Sequence, residues 1–430
     1  MSWRNWGRTE SAQPVRVLRP ATEAHVATAI EQAAADGLPV KAVGSGHSFS
    51  GIAVAPGVQL DLSGLTGLVG VDHATDRVTL RAGTPLHAVP ALLAPHGLAM
   101  PNLGDIDQQT ISGAVSTGTH GTGLTFGGLA TQVVGARFVD GWGEVHVVDA
   151  SHKWLPAVAL GLGALGVLTE LTLQCVPAFQ LQAVERPEPL EQVLDSWAER
   201  IRAHDHVEFY WFPHTATALT KTNTRLPLGA PTRPLPGWRR RLDDDLLANG
   251  LFELTCRACS RLPGLTPTVN RAAERLTGNR TFTDVATAVF TTRRSVRFRE
   301  MEYAVPAGIL PQVAREVGAL IERRRWRVSF PLEFRVAAAD DRWLSTAHER
   351  DSGYVAVHRY WRDAEDDYLT EVEALLRDHD GRPHWGKLHT RTAADLAGAY
   401  PRFADFLVLR DELDPDRRFA NPYLERVLGA

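Results

Sequence analysis

The chain has few cysteines and no long apolar run. Its three cysteines, Cys175, Cys256 and Cys259, are too few for a disulfide framework in 430 residues. Cys256 and Cys259 form a lone Cys-x-x-Cys without further ligands nearby, so we predict one buried helix face there and no metal site. The lack of an apolar run of about 20 residues, or of an apolar leader, predicts a cytoplasmic protein with no transmembrane segment.

The chain also lacks a strong excess of charge of either sign. The formal net charge is −4 at pH 7, which argues against a nucleic-acid partner. The basic cluster Arg239–Arg241 lies in a Pro- and Arg-rich stretch that continues through residue 242, and we interpret it as the solvated face of a loop. At this length a single core stops growing, so two domains are expected.

The most informative segment of the sequence is a glycine loop around His47. Val40 and Val43 favour a packed strand, after which Gly44 and Gly46 permit the positive φ and the close approach that turn backbone N–H groups towards a phosphate. Phosphate loops usually carry Lys, Ser or Thr beside the phosphates. A histidine in this place indicates a role beyond phosphate binding.

A second segment, residues 101–123, is rich in Gly, Ser and Thr and almost free of charge after Asp107. Small side chains let the backbone approach a ligand, and hydroxyl groups can bond its oxygen atoms. The hydroxyl candidates are Ser116, Thr117 and Thr119, and the glycines that free the backbone are Gly118, Gly121 and Gly123.

Hydrophobic spacing predicts a mixture of short strands and helices up to about residue 177. Apolar residues at helical spacing predict a helix over Ala21–Ala35, and a strand pair is predicted at Val133–Phe138 and Glu144–Val148. This mixture is typical of an α+β domain.

The run Gly161-Leu-Gly-Ala-Leu-Gly166 matches the G-x-G-x-x-G dinucleotide fingerprint, in which the glycines follow a strand and open a helix. Here the helix-like Lys153–Ala159 precedes the glycines and the β-rich Val167–Val176 follows them. The reversed order argues against a nicotinamide site.

Two strand-like runs carry candidate catalytic groups. In the first, alternation places Glu333 and Arg335 on one face, where spacing alone favours a structural salt bridge. In the second, His358 shares a face with Tyr354 and Tyr360. A satisfied core histidine and a catalytic base both remain open for His358.

Four motifs, in order along nearly the whole chain, resemble the aldonolactone oxidoreductase branch of the vanillyl-alcohol-oxidase-type flavoproteins. Val43–Ser50 resembles the flavin-attachment loop and residues 101–123 resemble the second flavin loop. Glu333-Phe334-Arg335 and His384-Trp385-Gly386-Lys387 resemble the Glu-x-Arg and His-Trp-x-Lys signatures. The resemblance implies a two-domain α+β fold. Its parts are an FAD-binding domain over residues 1–178, a substrate or cap domain over residues 179–380, and a segment over residues 381–430 that packs back on the first domain.

The resemblance also implies roles for single residues. His47 would be bonded through a ring nitrogen to the 8α-methyl of FAD, and Glu333 would bind or orient the substrate hydroxyls. Arg335 and Lys387 would supply positive charge to the reduced flavin and the substrate oxygen, and His358 resembles the pocket histidine of alditol oxidases. The implied cofactor contacts are Gly44, Ser45, Gly46, His47, Ser48, Gly104, Asp105, Gly113, Ser116, Thr117, Gly118, Thr119, His120, Gly121, Gly123, Gly163, Gly166, His384 and Lys387.

The implied reaction is oxidation of a sugar-derived 1,4-lactone of the L-gulono, L-galactono or D-arabinono type, with hydride transfer to flavin N5. Gly104 matches a position that lines the oxygen approach, and glycine leaves that route open, so molecular oxygen is the expected acceptor. The same chemistry with another acceptor stays open, as does an alditol oxidase for xylitol or sorbitol, although Asp105 departs from the serine of alditol oxidases. A non-catalytic flavin-binding protein is disfavoured because candidate base, cation and anchor residues occur together.

Overall fold

The computed structural model describes residues 2–237, 250–276, 278–292 and 294–430. The cluster Arg239–Arg241 and the end of the loop predicted through residue 242 lie outside the described residues. Strands, numbered along the chain, are β1 Trp3–Arg4, β2 Ser11–Ala12, β3 Arg16–Leu18, β4 Val40–Val43, β5 Val58–Asp61, β6 Leu68–Asp72, β7 Arg77–Arg81, β8 Leu98–Ala99, β9 Val133–Val139, β10 Val145–Asp149, β11 Val167–Gln174, β12 Val176–Pro177, β13 Phe179–Pro189, β14 His206–Trp211, β15 Thr217–Pro227, β16 Arg280–Val285, β17 Phe298–Pro306, β18 Leu332–Ala337, β19 Ser352–Tyr360 and β20 Arg382–Pro383.

Helices occur between and after these strands, which confirms the predicted α+β class. Within the described ranges the α-helices are Glu23–Ala35, Val89–Leu93, Ile111–Ser116, Leu155–Val158, Leu190–Asp195, Trp197–Ala203, Phe252–Arg261, Thr266–Leu276, Ala286–Phe290, Leu310–Arg324, Tyr368–Asp378, Ala393–Ala397, Phe403–Leu413 and Pro422–Leu428.

The glycine loop is positioned by a three-stranded parallel sheet in which β5 lies between β3 and β4. The helix Glu23–Ala35 links β3 to β4 and begins where the Thr22 hydroxyl accepts a hydrogen bond from the His25 N–H at 3.2 Å. Its buried Val26 and Ile30 belong to the main core, so the connection is held firmly. β4 ends at Val43, and the loop starts from this anchored strand.

A five-stranded sheet in the order β10-β9-β11-β7-β6 completes this part of the chain. The predicted strand pair around Asp140-Gly141 is confirmed as β9 and β10. The glycines of residues 161–166 follow the helix Leu155–Val158 and precede β11, which confirms the order inferred from sequence.

Three of the four candidate catalytic residues, Glu333, Arg335 and His358, lie on an eight-stranded antiparallel sheet in the order β16-β13-β15-β14-β18-β19-β17-β20. One face is apolar: Phe209 and Phe334 stack with ring centroids 4.5 Å apart in the core that includes the helix Leu310–Arg324. Glu333 pairs with Tyr210 on one side and Ala356 on the other, and Arg335 pairs with Tyr354. The other face therefore carries polar groups, as the alternation predicts.

The end of the chain contacts the glycine-loop region. Ser50 donates to the Trp385 carbonyl at 2.7 Å, and Asn421 donates to the carbonyls of Gly51, Ile52 and Val54. The domain limits at residues 178 and 380 stay predictions.

Two further expectations concern single elements. Cys256 and Cys259 are buried on the helix Phe252–Arg261, as predicted. Across the described residues, the longest and most apolar helices fall short of what a membrane span requires.

Candidate active site

Two adjoining clefts meet at the glycine loop and share His47, Ser48, Gln109 and Thr117. The sheet cleft, of about 770 Å³ including its opening to solvent, lies between the loop that carries Gly104 and the polar face of the eight-stranded sheet. The loop cleft, of about 720 Å³, lies under the glycine loop itself. A ligand that reaches from one cleft into the other would pass His47.

The loop cleft has the features of an anion cradle. A Cβ on Gly44 would lie 2.5 Å from Thr110 Oγ1, and Gly46 has a φ of +69°, which L side chains rarely adopt. No acidic side chain lines this cleft within the described residues. Its hydroxyl groups come from Ser45, Ser48, Thr110, Ser112, Ser116 and Thr117, and its apolar side chains include Ile52, Leu62, Leu162 and Leu168.

Lys41 is the cation of the loop cleft. Its Nζ donates to the carbonyls of Gly163 at 3.1 Å, Leu162 at 3.3 Å and Phe419 at 3.4 Å. Burial, together with the positive charge of Arg410, lowers the pKa of Lys41 to about 7. Lys41 thus ties the turn that contains Gly163 to the strand that leads into the glycine loop.

One end of the sheet cleft holds a network of paired charges. Arg335 contacts Glu333, donates to Glu208 Oε2 at 2.9 Å, and lies 3.5 Å from Asp105 Oδ2. Burial alone would raise the pKa of Asp105, but Arg294 and Arg335 lower it well below its ordinary value. Burial raises the pKa of Glu333, and its two arginine neighbours offset this only in part. Asp105 is therefore a fixed anion, while Glu333 is the carboxyl better suited to exchange a proton.

Arg294 and Tyr210 complete this end of the cleft. The Arg294 Nη2 contacts Asp105, lies 3.8 Å from Glu333 Oε2 and donates to the Tyr210 hydroxyl at 3.4 Å. Tyr210 donates in turn to Glu333 Oε1 at 3.3 Å. Among the described residues these contacts use only one guanidinium nitrogen, so other N–H groups of Arg294 can face a ligand.

The other end of the sheet cleft joins a cation and a histidine through one carboxylate. Lys387 contacts Glu300, and His358 Nε2 lies 3.5 Å from Glu300 Oε1. Burial alone would raise the pKa of Glu300, but Lys387 and His358 lower it. His358 Nδ1 bonds the Pro331 carbonyl at 2.8 Å, and because a carbonyl only accepts, Nδ1 carries the proton. Its Nε2 lies beside Glu300 in the wall of the cleft.

Two more histidines flank Glu302. His120 Nε2 lies 3.2 Å from Glu302 Oε1, and the His120 ring stacks on Tyr354 with centroids 3.6 Å apart. His384 Nδ1 accepts from the Gly386 N–H at 3.0 Å, and burial lowers the pKa of His384 to about 4, which keeps it neutral near pH 7. Ligand atoms of these three residues lie within 4.8 Å of one another, so the predicted absence of a metal stays a prediction.

His47 lies where the two clefts meet. Its ring stacks on Trp6 with centroids 5.7 Å apart and planes 20° apart. Burial, and next the positive charge of Lys387, lower the pKa of His47. The imidazole is therefore neutral near pH 7 and keeps a lone pair on one ring nitrogen.

Most of the predicted cofactor residues line one cleft or both, and Gly118, Gly121 and Gly123 line neither. A Cβ on Gly121 would lie 2.3 Å from the Leu103 carbonyl, and one on Gly123 would lie 2.4 Å from the Asp205 carbonyl. Gly121 and Gly123 thus permit close backbone packing, and their contact with the cofactor stays a prediction.

Sequence reasoning missed Glu300 and Glu302. Both lie in β17, whose other face carries buried Met301 and Tyr303. Two acidic residues at alternate positions of a largely apolar strand are a readable signal for a polar cleft wall. Arg294, Tyr210, Lys41 and Trp6 have no comparable local signal.

Comparisons with known proteins agree on one family. The D-arabinono-1,4-lactone oxidase model matches residues 171–427, and an FAD-binding-domain model matches residues 14–149. The chain is 42% identical to L-gulono-1,4-lactone dehydrogenase of Mycobacterium tuberculosis, with 99% of both chains covered. It is 31% identical to L-gulonolactone oxidase of Bos taurus (99% and 98% covered) and 32% identical to alditol oxidase of a Streptomyces species (99% and 98%).

Among solved structures, cholesterol oxidase from Brevibacterium sterolicum aligns with a TM-score of 0.86 at 17% identity, over 99% of this chain and 96% of that one. At this identity the likeness concerns the fold alone.

Proposed function

Because this chain belongs to the D-arabinono-1,4-lactone oxidase family, we propose that it oxidises an L-gulono-, L-galactono- or D-arabinono-1,4-lactone at C2. It is an FAD-dependent oxidoreductase that acts on sugar lactones. The observation that carries the proposal is one cleft that the Glu333–Arg335 pair and the Lys387–Glu300 pair both line, together with His47.

The residues of the two clefts fit FAD. The glycine cradle and the hydroxyl groups suit a pyrophosphate, and the apolar side chains suit an adenine ring. The bound flavin would supply the hydride acceptor at N5. Lys387 and Arg335 are the cations placed to offset the charge that reduction brings.

We propose that a ring nitrogen of His47 bonds the 8α-methyl of FAD. A neutral imidazole at the junction of the clefts, held by stacking on Trp6, supports this bond. Acid precipitation tests it: yellow colour should stay with the precipitated protein and move to the supernatant in His47→Ala. Colour in the supernatant of the unaltered protein would overturn the covalent bond but not the FAD enzyme.

We assign proton transfer from the substrate, and hydrogen bonding to it, to four side chains. His358 Nε2 is placed to take the hydroxyl proton, and Glu333 to accept a hydrogen bond from a neighbouring hydroxyl. Arg335 and the unused N–H groups of Arg294 suit an oxygen that only accepts, such as the lactone carbonyl. An alditol has no such carbonyl, so these donors favour the lactone.

Product analysis tests the substrate class. The protein should oxidise L-gulono-1,4-lactone in air, form hydrogen peroxide, and turn over xylitol at least about tenfold more slowly, as expected when one charged hydrogen bond is lost. A preference for xylitol would instead identify an alditol oxidase. Gly104 supports oxygen as the acceptor, because the absence of a side chain leaves the cleft open beside the His120 carbonyl.

A further inference from the structure

Three guanidinium groups lie over one tryptophan ring on the surface next to the active site. Arg362, Arg8 and Arg297 are 4.5, 4.9 and 5.5 Å from the centroid of Trp361. Arg362 and Arg8 are exposed and Trp361 is half-buried. With Arg4, whose guanidinium donates to the Arg8 carbonyl, they form what we call the arginine patch.

The arginine patch concentrates positive charge, although Glu253 acts on Arg297 and Glu10 lines the same cleft as Arg4 and Arg8. Within the described residues none of its four arginines forms an ion pair. The carboxylates of the same surface loop are occupied by arginines outside the patch: Glu365 pairs with Arg299, and Asp366 with Arg359. Burial lowers the pKa of Arg297, and the charges of Arg8 and Arg4 lower it further, as expected for crowded cations.

One residue joins the arginine patch to the active site. Arg297 Nε donates to the Trp6 carbonyl at 2.6 Å, and its guanidinium lies 5.7 Å from the Trp6 ring centroid. Trp6 stacks on His47 and lines the sheet cleft. Arg297 and then Trp6 therefore lie between an anion bound at Trp361 and His47.

We propose that the arginine patch binds an anionic one-electron acceptor that reoxidises the enzyme by a second route beside oxygen. The proposal rests on the function proposed above, since only a redox enzyme needs an acceptor beside its cofactor site. In each turnover one lactone hydroxyl becomes a carbonyl, two acceptor ions each gain one electron, and two protons pass to solvent. Unpaired guanidinium groups over an aromatic ring attract such an anion from a distance and hold it by contact.

The kinetic test uses the holoenzyme reduced with dithionite, so that it does not depend on the substrate. Reoxidation by ferricyanide, an anion, is compared with reoxidation by tris(1,10-phenanthroline)cobalt(III), a cation, from about 10 to about 300 mM salt. The ferricyanide rate should fall at least about tenfold with salt, and the cobalt rate should not fall. Equal salt dependence for the two acceptors would overturn the proposal.

The matched variants are Arg8→Gln/Arg362→Gln in the patch and Arg202→Gln on the helix Trp197–Ala203. Arg202 is also exposed and, among the residues that the structure describes, donates only to a backbone carbonyl, Ala198 O, at 3.0 Å. The double variant should lose about tenfold in the ferricyanide rate at low salt. It should keep its rate with air, because oxygen is neutral, and its rate of reduction by lactone, while Arg202→Gln should change none of these rates. An unchanged ferricyanide rate in the double variant would contradict the proposal.

A second readout needs no electron transfer. The fluorescence of Trp361 is the part of the emission that Trp361→Phe removes. Iodide should quench this fluorescence more strongly than caesium does, and the difference should disappear in Arg8→Gln/Arg362→Gln. Equal quenching by both ions would show that the patch attracts no anion. If lactone fails to reduce the enzyme while these results hold, the proposed substrate is wrong, but the proposal that the arginine patch binds an anionic acceptor still stands.

Discussion

Glu300 lies directly opposite His358 in the ladder between β17 and β19, with Glu300 Oε1 3.5 Å from His358 Nε2. Its other carboxylate oxygen contacts Lys387. One buried carboxylate therefore holds the candidate base and a candidate cation in the same cleft. Glu300 is a positioning residue in this arrangement, and its loss and the loss of Lys387 have different consequences.

Lys387→Met should slow flavin reduction and destabilise the fold. Loss of a cation at the reacting centre costs about a hundredfold in the reduction rate. The buried Glu300 is also left without Lys387, which should lower the thermal unfolding midpoint by about 5 °C. Stopped-flow reduction and thermal unfolding measure the two effects separately. In the control, Lys387→Met/Glu300→Gln, the midpoint should recover while reduction stays slow. Recovery of both would mean that Lys387 has only a structural role.

Arg294→Met should remove the preference for a lactone carbonyl. The binding of L-gulono-1,4-lactone is compared with that of the corresponding 1,4-anhydroalditol, which has the ring but no carbonyl. The unaltered enzyme should bind the lactone about tenfold more tightly, the value of one charged hydrogen bond. Arg294→Met should bind both equally. Arg299→Met, on β17 but outside the sheet cleft, should keep the preference. A preference that survives in Arg294→Met would remove Arg294 from the substrate site.

Gly104→Ala should slow reoxidation by air and leave reduction by lactone unchanged. The added Cβ would lie 3.1 Å from the His120 carbonyl and 3.3 Å from Thr119 Cγ2, so it fills the approach that glycine leaves open. Gly70→Ala is the control, because a Cβ there meets nothing within 4 Å. Stopped-flow mixing of reduced enzyme with oxygenated buffer gives the rate. Equal air rates in both variants would show that Gly104 does not control oxygen access.

The fold should lose stability as the pH falls below about 6.5. Burial lowers the pKa of His206 and His384 to about 4 and that of His389 to about 3. Between these folded-state pKa values and about pH 6.5, the unfolded chain binds protons that the folded protein excludes. Each histidine therefore lowers the free energy of unfolding by about 1.4 kcal/mol for every unit by which the pH falls. Thermal midpoints from about pH 7 to about pH 5 record this, and His389→Gln should make the decline shallower. The same decline in His389→Gln would contradict the assignment.

The features that the sequence predicts well are local. The strand that leads into the His47 loop, the shared face of Glu333 and Arg335, and the reversed order around Gly161–Gly166 each depend on neighbours in the chain. Their hydrophobic spacing and turn residues encode them directly.

The features that were missed depend on register and on distant segments. Glu300 meets His358 through the pairing of two strands about sixty positions apart, and Arg294 meets Asp105 from a segment 189 residues away. Gly121 and Gly123 also permit close backbone packing, which the composition of their loop does not reveal. A single sequence does not show whether a glycine allows another backbone segment or a ligand to approach closely.

The most direct test of the lactone assignment is the anaerobic visible spectrum of the holoenzyme after L-gulono-1,4-lactone is added, followed by admission of air. If this site oxidises the lactone, the flavin band at about 450 nm should be lost before air enters and should return afterwards. A band that lactone leaves unchanged, while dithionite removes it, would contradict lactone oxidation as the reaction of this site.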